Sequence, residues 1–217
     1  SRRSFPEQPA LSQKGIAIAL ADGISSSNVS QVAAEMAVKS FLTDYYCTSE
    51  SWTVKTSGQS VIKATNSWLY SQTHRSEHAY DIEKGYVCTF CAMVVKGRAA
   101  HLFHIGDSRI YRLLGSSLEQ LTTDHILQIS SDQSVLSKAL GMSPRTDIDY
   151  QKLPLKRGDI FILATDGVYE HITAADLTNA INSHGDNLNE AAKSIINQAY
   201  EQDSNDNLTI QIIRIDE

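Results

Sequence analysis

Four aspartates stand at the ends of strongly apolar segments, and their side chains are the first candidates for chemistry. Asp22 closes IAIALAD, Asp166 closes IFILATD, Asp206 directly precedes NLTIQIIRI, and Asp107 follows HLFHIG. The first two are followed by glycine, and a single Asp-Gly pair is a common turn. An ionised carboxylate at the end of a buried strand is costly unless a cation or several donors compensate it. Four such acids together therefore indicate a shared binding site.

A shared site follows if the strand after Asp206 runs antiparallel to the strands that end at Asp22 and Asp166, because all three acids then gather at one end of one sheet. Crowded carboxylates raise each other's pKa, and divalent cations remove that conflict. Oxygen-only ligands without clustered His or Cys favour Mg²⁺ or Mn²⁺ over zinc. Two such ions can hold a bridging water, lower its pKa and clamp a phosphoryl group for in-line attack. The chain has no Gly-x-Ser-x-Gly elbow or Walker loop that would supply another mechanism.

Size and composition fit one domain, here residues 1–217. The chain is 41% hydrophobic and carries 25 acids against 19 bases, a net charge of −6, which argues against nucleic acid as a partner. No apolar run is long enough to cross a membrane, so we expect no membrane insertion. Three cysteines are too few for a disulfide framework and predict a cytoplasmic protein. Cys88 and Cys91 lie in an apolar strand pattern, where residues three apart face opposite sides.

Hydrophobic periodicity predicts helix pairs near both ends and an antiparallel meander between them, which is an α+β fold. We expect no clear element in Ser1–Lys14 and a capping box of Asn28 with Gln31. We also expect a capped helix start at Thr173 with Asp176, and a short helix at Asp132–Leu140. The remaining predicted elements are strand Ile16–Ala21, helices Asn28–Tyr45 and Gln59–Thr73, strands between Tyr86 and Leu121, strand Ile148–Leu153, helices to about His184 and over Asn189–Glu201, and strand Leu208–Ile215.

Six motifs occur in a fixed order along the chain: ALADG, HIGDSRIYRL, LEQLTTDH, LSKALG, LKRGDIFILATDGVYEHI and DNLTI. With them the chain resembles the metal-dependent serine/threonine protein phosphatases of type 2C, or PPM type, in their bacterial form. The resemblance covers almost everything from Gly15 onwards. It is greatest to the phosphatase domain that some bacterial chains carry beside a kinase domain.

This resemblance implies two antiparallel β-sheets packed as a sandwich and flanked by pairs of helices, a four-layer αββα fold. It implies Mn²⁺- or Mg²⁺-dependent hydrolysis of phosphoserine and phosphothreonine in proteins, so the expected partners are phosphorylated proteins and a cognate Ser/Thr kinase. Asp22 would bridge two metal ions and the Gly23 carbonyl would bind one of them, while Asp166 and Asp206 would hold the other. These three aspartates would then act in catalysis through the water that the metals hold.

The resemblance assigns two further features. Asp107 matches the position of a weaker third metal, and Asp124–Leu140 aligns with a flap that affects substrate choice, so this segment is the expected substrate-binding element. Arg109 is expected to be a structural ion-pair partner.

Two departures leave alternatives open. The family places a phosphate-binding Arg and an Asn-Glu-Asp motif before the first Asp-Gly strand, but Arg2 and Arg3 lack these neighbours and Glu7 is the only acid before Lys14. Because the chain does not begin with Met, we expect this motif to lie upstream of Ser1, in which case the N-terminal strand is incomplete in this sequence. The alternative is that the motif has been lost. Ser-rich residues 24–27 replace the stretch that often carries a general-acid His, which leaves His125 and His171 as the nearest candidates.

The alternative functions are a catalytically weak phosphatase-like domain that regulates or binds partners, and another two-metal phosphoesterase. Retention of the three aspartates disfavours the first alternative, and the ordered motifs disfavour the second.

Overall fold

The computed structural model describes residues 8–130 and 133–216, which form two four-stranded antiparallel sheets, a separate two-stranded hairpin and helices on both outer faces. The strands are β1 (Ile16–Gly23), β2 (Cys88–Lys96), β3 (Ala99–Ile105), β4 (Arg109–Leu114), β5 (Ser117–Gln120), β6 (Ile126–Ser130), β7 (Gln133–Leu136), β8 (Asp149–Pro154), β9 (Ile160–Ala164) and β10 (Ile210–Arg214). The helices are α1 (Gln8–Lys14), α2 (Ser30–Cys47), α3 (Val54–Arg75), α4 (Asp166–Tyr169), α5 (Ala174–His184) and α6 (Leu188–Glu201), with a 3-10 turn at Ile82–Lys84.

The first sheet has the order β1-β2-β3-β8 and the second has the order β10-β9-β4-β5. Short turns such as Lys96–Ala99 link consecutive strands, and such turns permit only antiparallel pairing. The antiparallel pairing of β10 with β9 begins opposite Ala164. The segments that carry Asp166 and Asp206 therefore meet at one edge of the second sheet.

Three apolar layers hold the four structural layers together. Between α2, α3 and the first sheet lies a core that includes Phe41, Phe90 and Phe103, all at most 1% exposed. Leu20, Cys91 and Phe161 belong to the layer between the two sheets. A third layer packs the second sheet against α5 and α6. The predicted four-layer α+β sandwich is therefore confirmed.

Side-chain alternation in β2 explains why the cysteines do not form a site. Cys88 belongs to the layer under the helices and Cys91 to the layer between the sheets, and both are free and fully buried. The expectation that they face opposite sides is confirmed.

Three local predictions differ from the structure. Ser1–Glu7 lies outside the described residues, but Gln8–Lys14 is helical. Val29 occupies the N-cap position of α2 without a side-chain hydrogen bond, so the Asn28 capping box is wrong; instead Ser27 accepts a hydrogen bond from the Val29 N–H.

The predicted helix at Asp132–Leu140 is also wrong, because β6 and β7 form a hairpin there with Ile126 opposite Leu136. The side chains of Leu127 and Ile129 in this hairpin are 60% and 63% exposed. An amphipathic helix gains most of its stability by packing its apolar face on a core. In this exposed segment, pairing with the preceding strand satisfies the backbone instead. Within residues 8–130 and 133–216, no helix combines the length and apolar character that a membrane crossing requires.

Candidate metal centre

Asp22 reaches the site from the first sheet, where it lies opposite Thr89 of β2. The backbone N–H of Asp22 donates to the Thr89 hydroxyl at 3.3 Å, and that hydroxyl is 2.6 Å from the hydroxyl of Ser108. A Cβ on Gly23 would lie 2.6 Å from the backbone of Ser30, so only glycine lets α2 begin this close to the strand. The local sequence therefore fixes the Asp22 backbone between a strand and a helix.

Asp166 and Asp206 come from the second sheet. Asp166 is the first residue of α4, directly after β9, and its carboxylate accepts a hydrogen bond from the Gly167 N–H at 2.8 Å. Asp206 lies in the loop before β10. A Cβ on Gly167 would be 2.9 Å from the carbonyl oxygen of Asn207 and 3.2 Å from the Asp206 Cβ. Glycine at 167 is therefore what allows the two acidic segments to approach.

The four aspartates share one cavity of about 240 Å³. Its lining residues are Asp22, Gly23, Ile24, Ser25, Ser26, Thr89, Asp107, Leu136, Asp166 and Asp206. The structure thus brings together every predicted metal-site residue. The expectation that the acids meet at the end of one sheet is wrong, since β1 belongs to the first sheet and β9 and β10 to the second. The cavity lies at the edge where the two sheets face each other.

Burial and mutual repulsion dominate the electrostatics of this cavity. Burial, followed by the charges of Asp166 and Asp206, raises the pKa of Asp22 to about 8. Burial and the charge of Asp166 raise the pKa of Asp107 to about 6. The pKa of Asp166 is also raised by burial, with the Gly167 N–H opposing the shift. Carboxylates in this state accept a proton or a cation to relieve the repulsion.

The donor set fits hard divalent ions. Among the described residues, no lysine or arginine lines the cavity, so no side chain there neutralises the acids. Carboxylates, hydroxyls and backbone carbonyls provide oxygen ligands, which Mg²⁺ and Mn²⁺ accept. The residues present therefore fit the metal ions that the sequence predicted.

Arg109 connects the neighbouring loops instead of entering the cavity. Its guanidinium forms a two-pronged ion pair with Asp124, with contacts of 3.0 and 2.7 Å to Oδ2, and lies 3.6 Å from the ring centre of Tyr169. This confirms the predicted structural role. The pair joins the segment after Asp107 to the base of the flap, and Leu136 at the far end of the flap lines the cavity.

The two candidate histidines lie elsewhere. His125 contacts Gly106 and Asp149, and His171 bonds the Gln202 carbonyl at 2.9 Å. Neither histidine lines the cavity. Arg2, Arg3 and Glu7 are outside the described residues, so the structure does not place the N-terminal motif.

Sequence reasoning missed the hydroxyl groups of the site. Thr89 becomes part of the cavity because of the β1–β2 register, which the sequence does not reveal. Ser108 stands in the motif HIGDSRIYRL, directly after Asp107, and this adjacency was the one available signal. Ser25 and Ser26 directly follow the first Asp-Gly strand, and they line the cavity where the expected general-acid His is absent.

A sandwich of two antiparallel sheets whose acids meet in one cavity at the edge fits a metal-dependent hydrolase. Residues 8–209 match the family described as Protein phosphatase 2C. The chain therefore belongs to the protein phosphatase 2C family and is a metal-dependent protein phosphatase of the serine/threonine class.

Similar proteins agree with this assignment. The serine/threonine phosphatase stp of Listeria welshimeri serovar 6b is 24% identical over an alignment of 219 positions, gaps included, that covers 90% of this chain and 83% of stp. A putative protein phosphatase 2C-type of Streptococcus pyogenes serotype M6 is 27% identical over an alignment of 224 positions that covers 93% of this chain and 87% of the relative. The catalytic domain of the serine threonine protein phosphatase PstP, solved with two manganese ions, has a TM-score of 0.79 at 22% identity and covers 93% of this chain and 88% of its own.

Proposed function

We propose that this phosphatase hydrolyses phosphoserine and phosphothreonine in proteins at the carboxylate cavity, with two Mn²⁺ or Mg²⁺ ions as cofactors. Asp22 and the Gly23 carbonyl, Asp166 and Asp206 would be the ligands, and Asp107 would serve a third, weaker position. The single observation that carries the proposal is the meeting of acids from both sheets in one cavity that no described cationic side chain lines. The solved PstP structure, which contains two manganese ions, supports the number and type of the ions.

When bound, such ions supply an activated water and positive charge for a phosphoryl group. The chain's own residues keep the ligands in place. The Thr89 hydroxyl accepts from the Asp22 N–H, and the Gly167 N–H donates to the Asp166 carboxylate. The first bond holds the Asp22 backbone and the second fixes the direction of the Asp166 carboxylate before a substrate arrives, which is the preorganisation that electrostatic catalysis requires.

The substrate's phosphate would depend mainly on the ions for charge compensation, because none of the described lysines or arginines lines the cavity. Ser25 and Ser26 add hydroxyl donors to its lining, besides Thr89, whose hydroxyl is already 2.6 Å from the Ser108 hydroxyl. The Ser26 hydroxyl already donates to the Glu83 carbonyl at 2.8 Å. Both serines are exposed, and because the Ser26 hydroxyl is already engaged in this bond, Ser25 is the better placed of the two to donate to a phosphate oxygen.

The flap, Asp124–Leu140, would bind the protein part of the substrate. Leu136 lines the cavity, and the β6–β7 hairpin extends from it with Ile126, Leu127 and Ile129 exposed to solvent. Exposed apolar groups beside a catalytic cavity offer a contact surface for a polypeptide. A small aryl phosphate would reach the cavity without using this surface.

The proposed partners are phosphorylated proteins together with the Ser/Thr kinase that modifies them, and the proposed location is the cytoplasm. Three free cysteines, of which Cys47 is exposed, support a reducing compartment. A phosphatase acting on phosphoserine also requires a kinase of matching specificity to supply its substrate.

The direct test is phosphate release from p-nitrophenyl phosphate and from a phosphothreonine peptide while Mn²⁺ is titrated. Asp166→Asn should lose most of the metal-dependent activity, by about 100-fold or more, because it removes a charged ligand from ions that supply the catalytic charge. Asp147→Asn changes an exposed acid outside the cavity and is the matched control. Full turnover of Asp166→Asn would refute the ligand assignment. A folded wild-type protein without turnover would favour a regulatory or partner-binding domain.

A further inference from the structure

A second group of metal-ligating side chains lies on the first sheet, apart from the carboxylate cavity. His104 of β3 is the cross-strand partner of Asp149 of β8, so both side chains leave the same face of the sheet. His125 precedes the flap hairpin and completes the group. One ligand atom from each of the three side chains lies within 4.8 Å of the others. None of the three residues lines the carboxylate cavity.

His104 lacks the partners that a buried histidine requires. It is 2% exposed, and neither ring nitrogen has a hydrogen-bond partner among the described residues. The Ser108 carbonyl acts on the ring and raises its pKa, but it does not form a well-aligned hydrogen bond. Buried polar groups are normally hydrogen-bonded or bind a ligand. Burial and the neighbouring His125 nevertheless lower the pKa of His104 to about 4, so the imidazole is neutral and offers a lone pair.

The spacing of the three side chains suits a small tetrahedral ion. His125 Nε2 lies 3.3 Å from Asp149 Oδ2, and two ligands at 2.0–2.1 Å from a tetrahedral zinc ion lie about 3.4 Å apart. The rings of His104 and His125 are 5.0 Å apart between centres. The His104 ligand atom lies within 4.8 Å of the other two, so an inward movement of at most about 1.4 Å would bring it to the spacing of about 3.4 Å.

Access for an ion comes from the surface. The Asp149 side chain is 50% exposed, and a cavity of about 520 Å³ is lined by His104 and Asp149 together with polar residues such as Thr122 and Gln151. The one lysine or arginine among the described lining residues, Lys55, has its ammonium group 5.0 Å from the centre of the Tyr150 ring. This cavity provides a path for an ion and room for a water as the fourth ligand.

We propose that His104, His125 and Asp149 form a second metal site that binds Zn²⁺ or a similar transition-metal ion. Two imidazoles and one carboxylate match the preference of zinc, whereas the all-oxygen cavity matches Mg²⁺ and Mn²⁺. The two sites therefore differ in ligand chemistry and would select different ions in the same molecule.

A metal ion bound by His104, His125 and Asp149 would have a structural consequence for the carboxylate cavity. The Gly106 N–H donates to His125 Nδ1 at 3.1 Å, so the neutral ring carries its proton on Nε2, toward Asp149. A metal bound at Nε2 requires that proton to move to Nδ1, where it faces the Gly106 N–H and breaks the hydrogen bond. One neutral hydrogen bond contributes far less than metal coordination by imidazole. Binding would thus remove one of the two hydrogen bonds that hold Gly106, directly before Asp107; the other, from the His125 backbone N–H to the Gly106 carbonyl at 2.8 Å, would remain.

The test uses Co²⁺ as a spectroscopic substitute for zinc in the full chain, with Mg²⁺ in excess to occupy the carboxylate cavity. We expect the intense visible absorption of tetrahedral Co²⁺ with nitrogen ligands, at one ion per chain, and its loss on addition of Zn²⁺. Asp149→Asn should weaken Co²⁺ binding by about 10–100-fold. Asp147→Asn, which replaces an exposed acid two residues away, should bind as the wild type does.

The Gly106 amide gives an independent readout by NMR. Its resonance should shift when Zn²⁺ binds to the wild type and should stay unchanged in Asp149→Asn at the same zinc concentration. Only the weak absorption of octahedral Co²⁺, or equal affinity of wild type and Asp149→Asn, would overturn the proposal. Phosphatase activity with Mn²⁺ alone, measured on the same samples, reports separately on the carboxylate cavity.

Discussion

Replacement of Asp22 by asparagine should stabilise the metal-free protein at high pH while abolishing its response to metal. Asparagine keeps the shape of the side chain and removes its charge. The structure raises the pKa of Asp22 from 3.8 to about 8, so the folded state retains a proton that the unfolded state has lost. The stabilisation from this group is complete below pH 3.8 and is lost as the pH rises through 8.

The magnitude follows from this pKa difference. At about 1.36 kcal/mol per pKa unit, ionised Asp22 lowers the free energy of unfolding by at most roughly 5–6 kcal/mol at pH 8.5. Because Asp22 is only partly buried, solvent screening reduces the effect, and we expect Asp22→Asn to gain about 2–3 kcal/mol in EDTA at that pH. At pH 5 the folded state keeps its proton but the unfolded state has lost most of its own, so the gain should fall to under about 1 kcal/mol, and it should vanish only below pH 3.8.

The assay is urea denaturation of wild type and variant, in EDTA and in Mn²⁺, at pH 5 and pH 8.5. Mn²⁺ at about 100 times its dissociation constant should add roughly 2.7 kcal/mol to the wild type and almost nothing to Asp22→Asn. Asp147→Asn is the control and should follow the wild type. A variant that is less stable than the wild type in EDTA at pH 8.5 would show that Asp22 is not a strained carboxylate, and one that Mn²⁺ stabilises as much as the wild type would show that Asp22 is not a metal ligand.

Three further substitutions separate binding, positioning and folding. Leu127→Ser on the exposed flap should raise KM for a phosphoprotein about 3–10-fold, because apolar contact with the substrate is lost, and should leave the kinetics with p-nitrophenyl phosphate unchanged. Equal effects on both substrates in steady-state assays would exclude a substrate-binding flap. Gly167→Ala should weaken Mn²⁺ binding in calorimetric titrations and cost about 1–3 kcal/mol of stability, because its Cβ would press on Asn207; unchanged Mn²⁺ affinity would contradict this. Asp159→Ala removes the ion-pair partner of the buried Arg112 and should lower the free energy of unfolding by about 3–5 kcal/mol in urea denaturation. The Mn²⁺ affinity of the folded protein should not change, and a lower affinity would show that this ion pair supports the metal site.

Much of the site could be predicted because its signal is local in sequence. A carboxylate at the end of an apolar strand is visible without structure, and so are the short turns of the antiparallel meander. The fold class followed from those patterns and the ordered motifs. That residues 1–217 form one domain stays a prediction.

The remaining features depend on contacts between distant segments. Assignment of β1 to a different sheet from β9 is decided by which apolar faces pack together, and alternation along one strand does not show this. The role of Thr89 depends on register, and the flap hairpin depends on the absence of a core beneath it. The pairing of His104 with Asp149 also arises only when β3 and β8 become neighbours.

The most direct measurement is anomalous diffraction from crystals grown in Mn²⁺. We predict two manganese peaks in the cavity, with carboxylate oxygens of Asp22, Asp166 and Asp206 as ligands, and a weaker third peak near Asp107. Manganese bound elsewhere, or these carboxylates ordered together in Mn²⁺ with no ion between them, would contradict it.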